Sequence, residues 1–193
     1  MKTLLTPLTS DKVSRLNAGD IVYITGTIYT ARDAAHKKMT ESIKRRKSLP
    51  PHQNFWCGGV PFDLKDQIIY YAGPTPAKKG MPIGSCGPTT SSRMDSYTVP
   101  LLEKGLKGML GKGKRSEEVI RAIKKFKAVY FIAVGGAAAL LATKIKKAKV
   151  IAYPELGTEA IRELELKDFP VIVAIDCKGE NIFDRAQQKL FRL

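Results

Sequence analysis

Five short runs rich in β-branched and aromatic residues alternate along this chain with segments of helical character, and that alternation restricts the fold more than any other feature. DIVYITGTIYTA (20–31), QIIYYAG (67–73), AVYFIAVG (128–135), KVIAYPEL (149–156) and PVIVAIDC (170–177) read as strands. Between them, RDAAHKKMTESIKRRK (32–47) places Ala35, Met39 and Ile43 on one helical face, with basic residues crowding its C-terminal end. Thr30 stands where its N-cap could be, and Arg32 and His36, four apart, would share a face near its start. SEEVIRAIKKFK (116–127) has Ser116 as a candidate N-cap, two glutamates in its first turn and an apolar stripe of Val119, Ile120, Ile123 and Phe126. GAAALLATKI (136–145) reads as a small-residue helix, a further helix is expected near 182–192, and EAIRELEL (159–166) lies between the last two strands. Strands interleaved with helices predict an α/β chain, 1–193 as one domain with helices covering a sheet. The proline- and glycine-rich stretch SLPPHQNFWCGGVPFDL (48–64) reads as an inserted loop.

Charge bounds the partners. The 193 residues carry 33 basic and 18 acidic side chains, a net charge of +15, which suits nucleic acid, an acidic partner chain or anionic substrates. Much of the excess lies in KKMTESIKRRK (37–47), KGKR (112–115), KKFK (124–127) and KIKKAK (144–149), several of them placed on helices where a solvated face accounts for them. No RNP-type aromatic motif, zinc-finger spacing or basic region with heptads accompanies the charge, so no nucleic acid is expected as partner. No apolar run is long enough for a membrane helix or a cleaved leader, which predicts no membrane partner and a cytoplasmic location. The cysteines, Cys57, Cys86 and Cys177, lack any CxxC spacing, and their odd number argues against a disulfide framework. Scattered in this way they read as buried apolar residues rather than as ligands to a metal.

Two glycine-rich stretches stop short of nucleotide motifs. GMLGKGKR (108–115) contains GxxxxGK, but Arg115 stands where a magnesium-binding hydroxyl is needed, and VGGAAA (134–139) is not GxGxxG. GSCGPTTSSRMDSY (84–97) is the chemically dense segment. Gly87-Pro88 breaks the chain, and Thr89, Thr90, Ser91 and Ser92 stand where a helix should begin, where free amides and hydroxyls could receive an anion. Arg93 adds a planar fork suited to a carboxylate. A second reading stays open, in which one hydroxyl is only an N-cap and Arg93 pairs with a neighbour such as Asp95.

GPTTSSRMDSY (87–97), GKGKRS (111–116), GGAAALLA (135–142), YPELGTEAI (153–161) and DFPVIVAIDCKGE (168–180), with TGTIYTARDAAHKK (25–38) and IYYAGPTP (69–76), together resemble the β-subunit of class I iron–sulfur hydro-lyases and the C-terminal domain of their single-chain forms. The resemblance covers about residues 8 to 190; the 50–60 loop falls outside the shared motifs. It implies a swivelling β/β/α-type domain with helices packed on a mixed sheet. It also implies a hetero-oligomer with an α-subunit that ligates a [4Fe–4S] cluster, with no metal ligand on this chain. RMDSY and GKGKRS resemble the fumarase version, which implies reversible hydration of fumarate to (S)-malate. Tartrate or another hydroxy-diacid is the alternative, and a basic nucleic-acid-binding module without catalysis is the reading from another class. The resemblance carries the roles of gripping a small dicarboxylate onto Arg32, Arg93 and Lys112, and that of catalytic base onto Thr89. Thr90 would shape the turn. His36 is either a supporting site residue or a structural hydrogen-bonding residue. His52 in the inserted loop reads as exposed, and Trp56 as local packing.

Overall fold

The computed structural model describes residues 2–46, 60–134 and 136–185. His52, Trp56, Cys57 and all but the first turn of the helix expected near 182–192 lie outside the described residues. The strands are β1 (Lys2–Leu5), β2 (Ile21–Thr30), β3 (Ile68–Tyr70), β4 (Gly108–Gly111), β5 (Val129–Ile132), β6 (Ile145–Ala152) and β7 (Ile161–Ile175). The helices are α1 (Ser10–Ser14), α2 (Asp33–Arg46), α3 (Asp95–Glu103), α4 (Glu117–Phe126) and α5 (Ala138–Thr143).

The sheet runs β1-β2-β3-β4-β5-β7-β6, and β2 also pairs with β7, which closes β2, β3, β4, β5 and β7 into a barrel. The pairs β1–β2, β2–β3, β3–β4 and β4–β5 are parallel. β7 runs antiparallel to β2, β5 and β6. The class is therefore α/β with helices covering a sheet, as the alternation predicts, and the sheet is mixed, as the resemblance implies.

The period-2 alternation of a strand decides which side of the sheet each residue serves. Ile68, Tyr70, Leu110, Val129 and Phe131 point into one buried cluster, with Ile24, Ile28, Leu164 and Phe169 from β2 and β7. Their neighbours Ile69, Tyr71, Met109 and Tyr130 point to the other face, where Met39 and Ile43 of α2, Leu101 and Leu102 of α3, and Val119 and Ile123 of α4 cover them. The stripes read on 32–47 and 116–127 are thus core faces. Ser116 caps α4 as expected, its Oγ accepting from the Val119 amide at 3.4 Å.

Three segments take their form from pairing rather than from local pattern. IRELEL (161–166) is strand: it forms the first part of the 15-residue β7, held between β2 and β6. β7 stays continuous by a bulge, in which Lys167 and Asp168 face Thr25 alone and Asp168 takes a φ of 49°. Residues 145–149 of KIKKAK belong to β6, and among the described residues β6 pairs only with β7, so its exposed lysines guard a sheet edge. GMLG of the apparent P-loop is β4, buried along its whole length.

Arg115, the residue that spoils the P-loop pattern, is a core side chain. Its guanidinium has 0% exposure, and Nε donates to Asp95 Oδ1 at 2.6 Å. Nη2 donates to Thr98 Oγ1 at 2.7 Å, and the group lies over the rings of Tyr71 and Tyr130 at 5.4 and 5.1 Å. The other oxygen of Asp95 accepts the Ser116 amide at 2.7 Å. One ion pair therefore fastens the start of α3 to the loop before α4. Removing one partner of such a pair strands a buried charge, at a cost of about 3–5 kcal/mol. Asp95→Ala is expected to lose that much in urea unfolding. An Asp95→Ala, Arg115→Met double variant is expected to recover part of the loss, which a double-mutant cycle measures.

Candidate functional site

The four parallel strands of the barrel end on the same side, and the candidate residues follow their ends. Arg32 stands two residues after β2, Gly73 three after β3, and Lys112 immediately after β4. Carboxyl ends of parallel strands are where open backbone groups and variable loops meet, and α/β proteins bind ligands there.

The segment 88–91 joins this rim as a short extended piece. The Thr89 amide donates to the Tyr71 carbonyl at 2.7 Å, the Lys112 amide donates to the Thr89 carbonyl at 3.1 Å, and the Ser91 amide donates to the Lys112 carbonyl at 2.9 Å. Thr89, Thr90 and Lys112 are thereby fixed side by side. This changes the expectation of an anion site made from free amides, because the amides of Thr89 and Ser91 are already spent. A 3₁₀ turn, Ser91–Met94, leads into α3, and Thr90 precedes it without any side-chain capping bond. Ser91 is fully buried, and Tyr130 Oη lies 2.8 Å from both Ser91 Oγ and the Gly113 carbonyl. A carbonyl only accepts, so the phenol proton goes to Gly113 and the Ser91 hydroxyl donates to the phenol. Gly111 is glycine because a Cβ there would overlap Ser91 Oγ. Thr89 is half-buried and Lys112 exposed. Among the described residues neither the Thr89 hydroxyl nor the Lys112 ammonium has a hydrogen-bond or ion-pair partner.

The two arginines meet at one carboxylate. Arg93 Nε donates to Asp33 Oδ1 at 2.8 Å, so its partner is Asp33 and not Asp95, the local neighbour considered from sequence. Arg32 Nη2 lies 3.7 Å from Asp33 Oδ2 and 3.5 Å from Glu159 Oε1. Those are ion-pair contacts beyond hydrogen-bond length. Arg32 Nε and Asp33 Oδ2 are buried without any hydrogen-bond partner among the described residues. Gly73 leaves room for the arginine: a Cβ at 73 would lie 2.9 Å from Arg32 Nη1. Glu159 Oε2 accepts the Ala34 amide at 2.9 Å and so caps α2. Thr30 is not that cap. It is fully buried, and its Oγ1 accepts the Arg162 amide at 3.1 Å.

His36 is 1% exposed beneath this rim, with Nδ1 2.9 Å from the Arg32 carbonyl and its ring edge-on to Tyr71 at 5.3 Å. The carbonyl requires a proton on Nδ1, which leaves Nε2 bare in the neutral ring. Burial, with Arg115 nearby, pulls its pKa down to about 4. His36 thus fixes the turn that carries Arg32.

Cys86, in the densest motif, is 0% exposed within the apolar cluster, and burial pushes its thiol up to about 12. Cys177 is also buried. Among the described residues no three His, Cys, Asp or Glu side chains come together as a metal site. These residues do not fit an iron–sulfur cluster, which needs thiolates. A separate cleft of about 520 Å³, lined by Pro74, Ile83, Val150, Thr158 and Arg162 among others, contains none of the candidate residues. Arg162 there spends its guanidinium on the carbonyls of Gly157, Thr158 and Ala160, so the cationic rim is the better candidate for an anion.

Residues 2–186 match the family described as Fumarase C-terminus. The chain belongs to that family. It is 43% identical over 193 residues to the anaerobic class I fumarate hydratase of Escherichia coli, covering 98% of this chain and 32% of that protein. It is 38% identical over 197 residues to a putative L(+)-tartrate dehydratase subunit beta of Methanocaldococcus jannaschii, covering 99% of this chain and 95% of that protein. The Escherichia coli L(+)-tartrate dehydratase subunit beta is 34% identical over 195 residues, with 98% and 90% covered. The chain thus spans about a third of the length of the fumarate hydratases it matches, and nearly the whole of the tartrate dehydratase subunits.

Sequence reasoning passed over Asp33 and Glu159, although each stood in a quoted motif. The available signal was an acidic residue inside a motif otherwise explained by its neighbours.

The His36 environment has a pH signature. Its folded pKa of about 4 lies below the ordinary 6.5, so the unfolded chain binds the extra proton first. Stability is then intact above about pH 6.5 and falls as pH drops toward 4, by roughly 3 kcal/mol in all. His36→Gln is expected to flatten that dependence in thermal midpoints taken at pH 7 and pH 5. An equally steep dependence in the variant would assign it to other groups.

Proposed function

We propose that this chain is the β-subunit of a two-chain hydro-lyase acting on a small hydroxy-diacid, with (S)-malate and fumarate as its reactant pair. The observation that carries the reading is the convergence of Arg32, Arg93, Lys112 and Thr89 on one rim of the barrel, in a chain of the Fumarase C-terminus family. Arginine forks match a carboxylate in two parallel hydrogen bonds, and the unpaired Lys112 ammonium adds a mobile third cation.

Thr89 is proposed to take the proton from the substrate carbon beside the carboxylate. A threonine hydroxyl is a weak base near neutral pH, so the assignment needs positive charge close by. The backbone pairing sets Lys112 beside Thr89, and Arg93 follows four residues later across the Ser91–Met94 turn. Thr89 is also pinned on both sides through its amide and carbonyl, which holds the hydroxyl without using it. The [4Fe–4S] cluster implied by the family resemblance has no ligand set among the described residues. It is proposed to belong to the partner α-subunit, while Arg32, Arg93, Lys112 and Thr89 bind the diacid and move its proton.

A second substrate, tartrate, is favoured by one observation: the relatives this chain covers nearly in full are named as tartrate dehydratase β-subunits. The RMDSY and GKGKRS motifs favour fumarate. The deciding experiment is dehydration of malate against tartrate by this chain assembled with its native partner. Faster turnover of malate is expected, and turnover of neither would overturn the hydro-lyase reading.

In the assembled enzyme, Thr89→Val is expected to lower kcat roughly 10²-fold with little change in KM. Thr90→Val, which removes an exposed hydroxyl with no capping bond, is expected to change neither kcat nor thermal midpoint appreciably. Arg93→Lys keeps the charge and loses the fork, at a cost of about 2–4 kcal/mol in kcat/KM. Full kcat in Thr89→Val would move the base elsewhere.

A further inference from the structure

The cationic rim contains its own carboxylates. Arg32, Arg93 and Lys112 bring three positive charges, and Asp33 and Glu159 bring two negative ones. Asp33 is the more central of the two acids, because it faces both arginines. It occupies Arg93 through Nε, on the side edge of the fork, which leaves the two terminal nitrogens of Arg93 without a hydrogen-bond partner among the described residues. Toward Arg32 it stands at 3.7 Å, too far to hydrogen-bond, with its Oδ2 buried and unmatched, while Arg32 Nε is buried and unmatched as well. A guanidinium whose acid partners all lie at 3.5 Å or more is held in place electrostatically but not saturated.

We propose that Asp33 is a positioning residue for the arginine pair: it orients Arg93 through Nε and cancels one arginine charge, so that the free nitrogens of the pair receive a substrate carboxylate of limited affinity. This rests on the hydro-lyase reading for the identity of the substrate, but not for the geometry. An acid held in this way tempers ground-state affinity. Without its charge the pair would bind a dicarboxylate more tightly, and without its oxygen Arg93 would lose the contact that sets its rotamer. Asp33 is suited to the role by position. It is the first residue of α2, next in sequence to Arg32, and 60 residues from Arg93.

Two substitutions separate charge from orientation. Asp33→Asn keeps an oxygen for Arg93 Nε and removes the negative charge. It is expected to lower KM for the diacid in the assembled enzyme about three- to tenfold, the scale of one nearby charge in a partly solvated site, with kcat within about twofold. Asp33→Ala removes the oxygen too, and is expected to lower kcat at least about tenfold. A merely structural role would shift the thermal midpoint in both variants and leave the two kinetic constants unsplit, and that result would overturn the proposal. Titration of succinate into the full chain by calorimetry gives a readout free of activity. Tighter succinate binding by Asp33→Asn than by wild type supports the proposal; equal, weaker or undetectable binding by both overturns it. Should the assembled enzyme turn over neither malate nor tartrate, the hydro-lyase reading falls and the succinate titration still decides the role of Asp33. Should Asp33→Asn fail to fold, Asp33→Ser takes its place. It keeps a hydroxyl oxygen and removes the negative charge, and failure to tighten succinate binding there would equally overturn the proposal.

Discussion

The antiparallel return of β7 is the constraint on which the rest of the molecule depends. Four parallel strands alone would form an open sheet with two bare edges. β7 runs against β2 from Arg162 to Ile172 and against β5 from Ile172 to Ile175, joining the two edges. Fifteen residues of one strand cannot follow a closed surface without bending, and the bulge at Lys167 and Asp168 supplies the bend. Thr25 stabilises it, with its Oγ1 accepting the Asp168 amide at 3.0 Å. Closure also draws the carboxyl ends of β2, β3 and β4 onto one rim. Arg32, Gly73 and Lys112 are neighbours because their strands are.

Closure sets the strands, and polar ties set the loops between them. The segment 88–91 is sewn to Tyr71 and Lys112 by backbone bonds, Ser91 and Gly113 meet at the Tyr130 phenol, and Arg115 ties the start of α3 to the start of α4. A guanidinium at 0% exposure is a costly device unless it is well matched. In this core an acid, a hydroxyl and two ring faces match it. The result is that the loops carrying Thr89, Arg93 and Lys112 are anchored to one another below the candidate site, and the candidate groups stand on a hydrogen-bonded base. Positioning of this kind supplies much of what a binding site needs before any ligand arrives.

Features governed by local physics were legible in the sequence, and those governed by distant partners were not. The stripes of α2 and α4 and the Ser116 cap follow from spacing and adjacency, and they stand where the pattern puts them. IRELEL is built of good helix formers, and only its pairing with two strands at once makes it extended. Thr30 is a reasonable cap by position, but Glu159, 125 residues from the Ala34 amide, takes that role. Arg93 has Asp95 two residues away and pairs with Asp33 instead. Asp95 in turn is claimed by Arg115, 20 residues on. The family motifs named the segments that meet, while the acids that hold the cations in place belong to a geometry that one-dimensional spacing does not carry.

The same acids explain how a strongly basic chain can hold a site of nearly balanced charge. Most of the net +15 lies away from the rim, as in the exposed lysines along β6, where charge discourages edge-to-edge pairing. At the rim, Arg32 and Arg93 face two carboxylates, and the unpaired Lys112 leaves one positive charge. A diacid brings two negative charges. Of these, the rim's own groups can neutralise one, and a second carboxylate placed among Asp33 and Glu159 would meet repulsion rather than a partner. A site with this balance is suited to grip a diacid by one end and to leave the other end to groups from elsewhere. The division of labour proposed for a two-chain hydro-lyase has a physical counterpart in the arithmetic of this rim: one net positive charge is half of what a diacid would need, and the proposed partner would supply the rest.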